Sequence, residues 1–534
     1  MKTDDLLTKL EQVRESALNA GSEMAYERQH QRGKYTARER IDKLIDPGTF
    51  VELDQLARHR ATGFGIENTR PLTDGVVTGW GYVDGRKVFL YSQDFAVLGG
   101  SLGQRVAEKI VKVMDLAASV GAPIIGINDG GGARIQEGVA ALAGYGDIFS
   151  RNVKYSGVIP QISVIAGPCA GGAVYSPALT DFVLMVQGTS HMFITGPDVV
   201  QAVTGEQVTQ EDLGGATTHS HKSGVAHIVA DNEDELFEQL KKLLELLPAN
   251  NGSIGGYKVD AIESRDISAQ VASENSQSKN AGKDLLDVMS NNDSGIYDVR
   301  GVIDLICDKG QFFEISEFFA PNIVCGFSRV EGKTVGVVAN QPSVYSGALD
   351  IDACEKAARF VRTCDSFDIP ILTIVDVAGF LPGVDQERSG IIRHGAKLLY
   401  AFSESSVPMV QIVTRRAYGG AFVVMGSKSL GADVSFALPT AEIAVMHAES
   451  AVEILSRREL EKFDRDSAEY DQRFDELVNE YNDKFANPFL AAERGLIDDV
   501  IAPGEVRSHV IASFAMLEGK RSEIVFRKHE VLPL

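Results

Sequence analysis

Gly167-Pro-Cys-Ala-Gly-Gly-Ala-Val-Tyr175 and Arg415-Arg-Ala-Tyr-Gly-Gly-Ala-Phe-Val423 are the two stretches that decide the fold. In each, a glycine pair follows an apolar run typical of a buried strand (158–166 and 407–413) and precedes small residues typical of a helix start. Such a pair lets the backbone turn sharply and leaves successive N–H groups open to a ligand. The pattern predicts either a backbone site for a developing oxyanion or, more simply, close packing of helix on strand.

The spacing of the two glycine pairs indicates that the chain repeats itself. Gly172 and Gly420 recur at an offset of 248, and so do the prolines that precede the two strands, Pro160 and Pro408. Further signals recur at an offset of 247: Pro123 with Pro370, and Val83-Asp-Gly-Arg86 with Val330-Glu-Gly-Lys333. Asp46-Pro-Gly-Thr-Phe-Val-Glu52 resembles Asp308-Lys-Gly-Gln-Phe-Phe-Glu314 at an offset of 262. We interpret the chain as one domain duplicated.

The domain boundaries follow from a change in composition between the copies. Residues 248–295 are rich in turn-forming residues and poor in apolar ones, which is typical of a linker. We therefore expect a first domain over 1–255, a linker over 256–294 and a second domain over 295–534.

Strand and helix patterns alternate within the first copy, which predicts an α/β fold. A hairpin signal over 75–92 precedes a helix over 109–120, a strand over 124–127 and a helix over 138–151. The loop Asp129-Gly-Gly-Gly-Ala-Arg-Ile-Gln136 directly follows that strand, at the end where open α/β sheets bind ligands. Its candidate substrate-binding residues are Gly131, Gly132, Ala133 and Arg134.

Composition restricts the class of function. The 534 residues are 44% hydrophobic and 24% charged, and the net charge of −22 argues against a general nucleic-acid or anionic-membrane surface. The five cysteines show no CxxC pair, and no run of 18 apolar residues or signal-peptide core occurs. We expect a cytoplasmic protein that binds neither nucleic acid nor membrane and holds no metal.

Side-chain catalytic motifs are missing from the sequence. It contains no Gly-x-Ser-x-Gly, no His-Glu-x-x-His and no Walker A loop. The charged stretch 449–485 is typical of two solvated amphipathic helices. What remains is a mechanism in which backbone amides stabilise oxyanions.

Motifs along nearly the whole chain, from Ala37 to Leu534, resemble one enzyme family. They include Asp129-Gly-Gly-Gly-Ala-Arg-Ile-Gln-Glu-Gly138, Gly167-Pro-Cys-Ala-Gly-Gly-Ala173, Met192-Phe-Ile-Thr-Gly-Pro-Asp198 and Val375-Asp-Val-Ala-Gly-Phe-Leu-Pro-Gly383. They are similar to those of the carboxyltransferase (β) subunits of biotin-dependent acyl-CoA carboxylases, the propionyl-CoA and acetyl-CoA carboxylase β-chain family. The chain departs from relatives at Ala421-Phe-Val423 and at His447-Ala-Glu-Ser450, which bears on the preferred acyl chain.

The resemblance implies a fold and an activity. The fold is two tandem crotonase-like (ClpP/crotonase) domains related by internal duplication, assembled as a homo-hexamer with active sites shared between two chains. The activity is transfer of carboxylate from carboxybiotin to the α-carbon of a short acyl-CoA, propionyl-CoA or acetyl-CoA, through an enolate. Analogy with crotonase places the acyl-CoA at the first glycine pair and biotin at the second.

The resemblance also implies site residues. The family's main-chain oxyanion holes correspond to Gly171 and Gly172 in the first copy and to Gly420 and Ala421 in the second. Further substrate-binding positions beside the second hole are Gly419, Phe422 and Val423.

Partners are expected because two parts of the complete reaction are missing. The sequence has no Ala-Met-Lys-Met biotinylation motif and no identifiable ATP-binding loop. We expect a biotin carboxylase/biotin carboxyl carrier subunit to supply carboxybiotin, with a coenzyme A thioester as the other substrate.

Other functions stay open at this point. Within the family, the chain could instead serve a biotin-dependent acyl-CoA decarboxylase or a transcarboxylase. A crotonase-type hydratase or isomerase would need a carboxylate beside the first turn, where Ala173-Val-Tyr-Ser176 offers none. A non-catalytic scaffold subunit is the remaining alternative.

Overall fold

The structure is a computed structural model that describes residues 3–252, 283–289, 296–520, 522 and 528–533. The chain divides into two compact units, Met1–Lys258 (unit 1) and Val259–Leu534 (unit 2). None of the helices in the described residues is long and apolar enough to cross a membrane.

Unit 1 is built on a mixed β-sheet. Its strands are β1 (Val51–Leu53), β2 (Val76–Val83), β3 (Arg86–Gln93), β4 (Ile124–Gly130), β5 (Gln161–Ala170), β6 (Phe182–Val186), β7 (His191–Phe193) and β8 (Ile228–Ala230). Within the described residues the order is β1-β2-β3-β4-β5-β6-β8, and β7 pairs with the end of β5. Strands β1 to β3 pair antiparallel, and the pairs from β3 onward are parallel.

Unit 2 repeats this sheet. Its strands are β9 (Phe313–Ile315), β10 (Ile323–Val330), β11 (Lys333–Asn340), β12 (Ile371–Val377), β13 (Met409–Tyr418), β14 (Val434–Ala437), β15 (Glu442–Ala444) and β16 (Asp499–Val500). The order is β9-β10-β11-β12-β13-β14-β16, and β15 pairs with the end of β13.

Helices cover the sheet in each unit. Those of unit 1 are α1 (Thr3–Leu18), α2 (Glu23–Gln31), α3 (Ala37–Leu44), α4 (Gln104–Val120), α5 (Val139–Tyr155), α6 (Tyr175–Leu179), α7 (Pro197–Thr204), α8 (Gln210–Gly214), α9 (Ala216–His221) and α10 (Glu233–Leu246). Those of unit 2 are α11 (283–289), α12 (Val299–Ile306), α13 (Ile351–Ser366), α14 (Val384–Ser389), α15 (Ile391–Glu404), α16 (Gly419–Val424), α17 (Ala448–Leu455), α18 (Arg457–Leu460), α19 (Ala468–Phe485), α20 (Pro488–Glu493) and α21 (Val506–Met516).

The matching strand orders confirm the predicted α/β class and internal duplication. The first residues of β2, β3 and β4 relate to those of β10, β11 and β12 by the predicted offset of 247, and β5 relates to β13 by 248. The offset of 262 recurs for β1 with β9 and for α3 with α12. The two glycine pairs therefore occupy equivalent places in two copies of one fold.

The repeated Asp46 and Asp308 motifs have a common physical role. The Asp46 carboxylate accepts hydrogen bonds from the backbone N–H groups of Asp84 (3.0 Å) and Gly85 (2.9 Å), in the turn of the β2–β3 hairpin. Asp308 accepts the equivalent pair in the β10–β11 hairpin. Each motif ties the chain before the sheet to the first hairpin, which explains why the signal survives duplication.

Helix α4 shows why these segments become helices on a sheet. Its buried residues recur every three or four positions and pack beneath the sheet, and Gly121 ends the helix in the left-handed conformation at φ +66°. The apolar residues of this stripe are Val106, Ala107, Ile110, Val113, Met114, Ala117 and Ala118. Helix α13 repeats the arrangement in unit 2.

Two strand ends and the number of helices in one stretch differ from the predictions, and α4 and α5 extend beyond the predicted 109–120 and 138–151. Strands β5 and β13 continue to Ala170 and Tyr418, beyond 166 and 413, because their last residues pair with β7 and β15. The charged stretch 449–485 forms three helices, α17 to α19, which share a small apolar cluster containing Leu460 and Leu477.

Most of the predicted linker, 256–294, lies outside the described residues. Residues 283–289 are the exception: they form α11, whose Leu285 and Met289 are buried in the core of unit 2. This part of the predicted linker therefore packs as part of unit 2.

Candidate active site

The first glycine pair forms a sharp turn between a strand and a helix. Strand β5 ends at Ala170, and Gly171 turns the chain with φ +64°, a conformation that favours glycine. Residues Gly171–Val174 make one 3₁₀ turn, which leads into α6. Gly171 and Gly172 are both half-buried.

The second glycine pair repeats this geometry. Gly419 follows β13 with φ +60° and starts α16. A Cβ built on Gly171 would lie 3.9 Å from the carbonyl oxygen of Ile194, and one on Gly419 would lie 3.1 Å from that of Val445. Each carbonyl belongs to the residue that follows the short strand paired with the end of β5 or β13. The same turn is thus built twice.

Gly420 favours the backbone-site interpretation of these turns over the packing interpretation. A Cβ on Gly420 would meet no described atom within 4 Å, and its φ is not positive. Packing and backbone conformation therefore do not require glycine there. At Gly172 a Cβ would make an ordinary contact of 3.4 Å with the ring of Tyr145. An open glycine at the start of a helix suits close approach of a ligand to the backbone, because the first N–H groups of a helix have no acceptor within it.

Side chains beside the first turn are unsuited to acid–base catalysis. Burial raises the pKa of the Cys169 thiol to about 12, so it stays protonated at neutral pH. The Ser176 hydroxyl donates a hydrogen bond to the side-chain oxygen of Asn152 at 2.9 Å. Burial also raises the pKa of Tyr145. The backbone is the part of this turn that can stabilise a negative charge.

The glycine-rich loop after β4 lies against the first turn. Gly131 is exposed, whereas Gly132 is buried with φ +88°, and a Cβ built on it would lie 3.1 Å from the carbonyl oxygen of Ala170. Ala133 is half-buried and pairs with Leu102 in an isolated bridge. The structure thus brings this loop to the residue that precedes Gly171.

Arg134 differs from the other loop residues because its side chain is buried. Its guanidinium forms ion pairs with Asp74 at 2.8 Å and Glu137 at 2.9 Å, and it donates to the backbone oxygen of Ser101 at 3.0 Å. These bonds hold the guanidinium group of Arg134 in the interior of unit 1. The geometry suits Arg134 to holding the loop rather than to contacting a ligand.

The predicted residues after the second pair fall into two environments. Ala421 is fully buried, so only its backbone can serve a ligand. Phe422 is half-buried, and the side chain of Val423 is exposed by 38%. Val423 is therefore available to contact a ligand at this turn.

A buried charge cluster that was not predicted from the sequence lies behind the loop of unit 1. The Asp129 carboxylate, fully buried at the end of β4, accepts hydrogen bonds from Lys34 at 2.8 Å and Arg40 at 2.9 Å. Arg40 also pairs with Glu233 at 2.8 Å. Burial lowers the pKa of Lys34. The cluster ties α3 and the chain before it to the strand that carries the glycine-rich loop.

Unit 2 places a carboxylate at the equivalent point. Asp376 is the counterpart of Asp129 on β12, and it accepts hydrogen bonds from the side chains of Arg415 at 3.0 Å and Arg416 at 2.8 Å. Both arginines lie on β13 just before the second glycine pair. An aspartate near the end of an otherwise apolar strand was the available signal for each cluster.

Comparison with known proteins places this geometry in a family. The carboxyl transferase domain family matches residues 28–532. The chain belongs to the carboxyl transferase family. Its two repeated sheets with a glycine turn in each are therefore a carboxyl transferase fold, and the chain is a carboxyltransferase.

Among the members of this family, the propionyl-CoA carboxylase beta chain of Saccharopolyspora erythraea is 56% identical over 97% of this chain and 94% of its own length. The methylmalonyl-CoA decarboxylase subunit alpha of Propionigenium modestum is 51% identical over 100% of this chain and 99% of its own. A solved structure of transcarboxylase 12S, described as a hexamer assembly with methylmalonyl-coenzyme A and methylmalonic acid bound, matches with a TM-score of 0.91. It is 45% identical and covers 100% of this chain and 99% of that one.

Proposed function

We propose that this carboxyltransferase moves a carboxylate from carboxybiotin to the α-carbon of propionyl-CoA, as one component of a biotin-dependent acyl-CoA carboxylase. The observation that carries the proposal is the pair of equivalent backbone turns, one in each unit, in a chain of the carboxyl transferase family. Transfer creates negative charge on two oxygens, the thioester carbonyl and the ureido oxygen of biotin. Two turns of the same geometry match two such charges.

The first turn suits the acyl-CoA. Loss of the α-proton puts negative charge on the thioester oxygen, and the backbone N–H groups of Gly171 and Gly172 would stabilise that charge. The protonated Cys169 and the hydrogen-bonded Ser176 leave the backbone as the group that acts. A hydratase or isomerase would need a free carboxylate here, whereas Asp129 is engaged by Lys34 and Arg40.

The second turn fits a bulky ring carrying a carbonyl oxygen. Gly420 is exposed, and the space where its Cβ would stand contains no described atom within 4 Å. When bound, carboxybiotin supplies the carboxylate, and the biotin left behind offers a nitrogen that can take the α-proton. The N–H groups of Gly420 and Ala421 would stabilise charge on the ureido oxygen. Val423 and Phe422 would then border the acyl end.

Propionyl-CoA is favoured over acetyl-CoA by the relatives. One is named for propionyl-CoA, one for methylmalonyl-CoA, and the transcarboxylase structure holds methylmalonyl-CoA, the carboxylated form of propionyl-CoA. The exposed valine at 423 would add apolar contact for a short chain. One methylene changes selectivity by only about 10–200-fold, so we expect both substrates to be used.

A decarboxylase subunit is the second candidate, because the P. modestum relative is 51% identical over the full chain. The half-reaction is the same and runs in the opposite direction. The partner subunits distinguish a carboxylase from a decarboxylase. A biotin carboxylase/biotin carboxyl carrier subunit would make this chain part of a carboxylase. We further propose a homo-hexamer with sites shared between chains, supported by the hexamer of the 12S relative, and a cytoplasmic location, supported by five buried free cysteines.

The half-reaction tests the proposal without partners. The purified chain is incubated with free biotin and methylmalonyl-CoA labelled in its free carboxylate, and label on biotin and formation of propionyl-CoA are measured. We expect propionyl-CoA to form only when biotin is present. Product formation that is independent of biotin, or hydration of an enoyl-CoA, would contradict the proposal.

A further inference from the structure

The glycine-rich loop of unit 1 has a backbone counterpart in unit 2. The N–H of Leu102 donates to the carbonyl of Gly132 at 2.8 Å, and the N–H of Arg134 donates back to Leu102 at 2.9 Å. At the equivalent positions of the second copy, the N–H of Leu349 donates to Gly379 at 3.0 Å and that of Leu381 donates to Leu349 at 2.8 Å. The duplication has kept the path of this loop.

A buried lysine below the loop is also duplicated. Lys109 on α4 donates to the backbone oxygens of Thr73 at 2.9 Å and Val76 at 2.5 Å. In unit 2, Lys356 on α13 donates to the corresponding backbone oxygens, at 3.4 Å and 2.8 Å. Each ammonium group thus fixes the segment that leads into the first long strand of its sheet.

The ion pair between Arg134 and Asp74 has no equivalent in unit 2. The counterparts of these two residues in the second copy are Leu381 and Pro321, which cannot form an ion pair. In unit 1 both side chains are buried, with 1% and 0% of their surface exposed, and the N–O distance is 2.8 Å. Duplication has therefore kept the backbone of the loop while only the first copy carries this charged link.

The ion pair includes one of two adjacent residues that have a strained backbone. Thr73 and Asp74 have φ values of +69° and +55°, a conformation that residues other than glycine rarely adopt. Such residues persist where the surrounding contacts fix them, and they cluster at functional sites. Lys109 holds the backbone of this segment, and Arg134 holds the Asp74 side chain and its backbone oxygen.

The loop that contains Arg134 contacts the first turn through Gly132. Gly132 approaches the backbone of Ala170, with 3.1 Å between a built Cβ and the Ala170 oxygen, and Ala170 is bonded to Gly171. The equivalent glycine of unit 2, Gly379, would meet no described atom within 4 Å. Among the described residues, this glycine of the loop therefore packs on the turn in unit 1 alone.

We propose that Arg134 and Asp74 are positioning residues for the first turn. Their ion pair, held from below by Lys109, fixes the 131–133 loop against Ala170 and so sets the direction of the Gly171 and Gly172 N–H groups. This inference rests on the proposed function, in which that turn stabilises the acyl-CoA oxygen. The second turn works without such a link.

Two variants remove the link, and one serves as the control. Arg134→Leu installs the residue of the second copy, and Asp74→Asn keeps the shape of the side chain while removing its charge. Arg300→Leu is the control for loss of an arginine pair outside the site, because Arg300 makes a two-bond ion pair with Glu314 (2.6 and 3.0 Å) between α12 and β9 in unit 2, with its side chain 35% exposed. It reports what losing an arginine pair costs in stability alone.

The experiment measures three quantities in each variant: carboxyl transfer from methylmalonyl-CoA to free biotin, hydrogen exchange of the amides over 131–135 and 171–174, and thermal unfolding. We expect Arg134→Leu and Asp74→Asn each to lower kcat by about 10–100-fold, since small misplacements of reacting groups have such effects. Exchange should speed up in both segments, and the double variant should be no slower than Arg134→Leu. Arg300→Leu should lose stability while kcat stays unchanged.

Three results would overturn the proposal: a fall in kcat without faster exchange, an equal fall in kcat for Arg300→Leu, or multiplied losses in the double variant. If Arg134→Leu does not fold, the isosteric Asp74→Asn gives the same readouts. A wild-type chain without transfer activity would refute the proposed function. The exchange data would then still decide whether the link holds the loop and the turn.

Discussion

Replacing Gly420 by alanine separates the part that the second turn plays in catalysis from its part in folding. The backbone of Gly420 is not left-handed, and a Cβ there would meet no described atom within 4 Å. Alanine at such a site restricts the unfolded chain, which stabilises a protein by about 0.4–1 kcal/mol. The new methyl group would stand on the open face that we assign to the donor. We therefore expect the variant to be slightly more stable and about 10–100-fold slower.

Two further alanine variants make the result interpretable. Gly146→Ala is the control, because Gly146 is an exposed glycine of α5 that also has open space and no positive φ. It should match Gly420→Ala in stability and keep full activity. Gly419→Ala should lose about 1–2 kcal/mol, because Gly419 is left-handed and its Cβ would lie 3.1 Å from the Val445 oxygen. Unfolding in denaturant and the biotin-dependent transfer rate are measured for all three. Full activity in Gly420→Ala would refute the assignment of this face to the donor.

Three other predictions follow from single residues. Ala421→Pro removes a backbone N–H and should lower the transfer rate by about 10²–10³-fold. Cys169→Ala should change the transfer rate by less than about threefold. Loss of turnover in a folded Cys169→Ala variant would refute a backbone mechanism. Val423→Asp puts a charge at the proposed position of the acyl end and should change the ratio of rates with propionyl-CoA and acetyl-CoA; an unchanged ratio would place selectivity elsewhere. Burial raises the pKa of the Asp94 carboxyl from 3.8 to about 6, so the folded state binds this proton more tightly than the unfolded chain does. The stability that this proton contributes is therefore fully present below about pH 3.8 and is lost as pH rises from there through about 6, by about 3 kcal/mol in total and by about 2 kcal/mol between about pH 4.5 and about pH 7.5. Asp94→Asn should remove this dependence, and the unfolding free energies of both proteins at about pH 4.5 and about pH 7.5 measure it.

The duplication and the two turns could be predicted because their signals are local. A glycine pair after an apolar run, a proline before a strand and an Asp-Gly or Glu-Gly hairpin each constrain the backbone directly. The nearly equal offsets between these signals can be read directly from the residue numbers. The Asp46 and Asp308 motifs were found in the same way, and the structure shows that both cap a hairpin.

The buried charges could not be predicted because their partners are distant in sequence. Asp129 is paired with Lys34 and Arg40, which precede α4 and the whole first hairpin, and Asp74 is paired with Arg134. Only the packed fold brings these groups together, and a lone charged residue in an apolar segment does not say which partner it has. For the same reason Arg134 was expected to contact substrate, whereas its guanidinium lies inside unit 1.

The central claim is that one reaction uses both turns, the first from one chain and the second from another. Mixing a Gly172→Pro chain with a Gly420→Pro chain tests it most directly, since each variant lacks one N–H donor and keeps the other turn. We predict that each variant alone is inactive in biotin-dependent transfer. Random exchange of subunits should restore about a quarter of the wild-type rate, because half of the mixed dimers' sites pair two intact turns. Full activity of either variant alone, or no recovery from chains that assemble and exchange subunits, would contradict it.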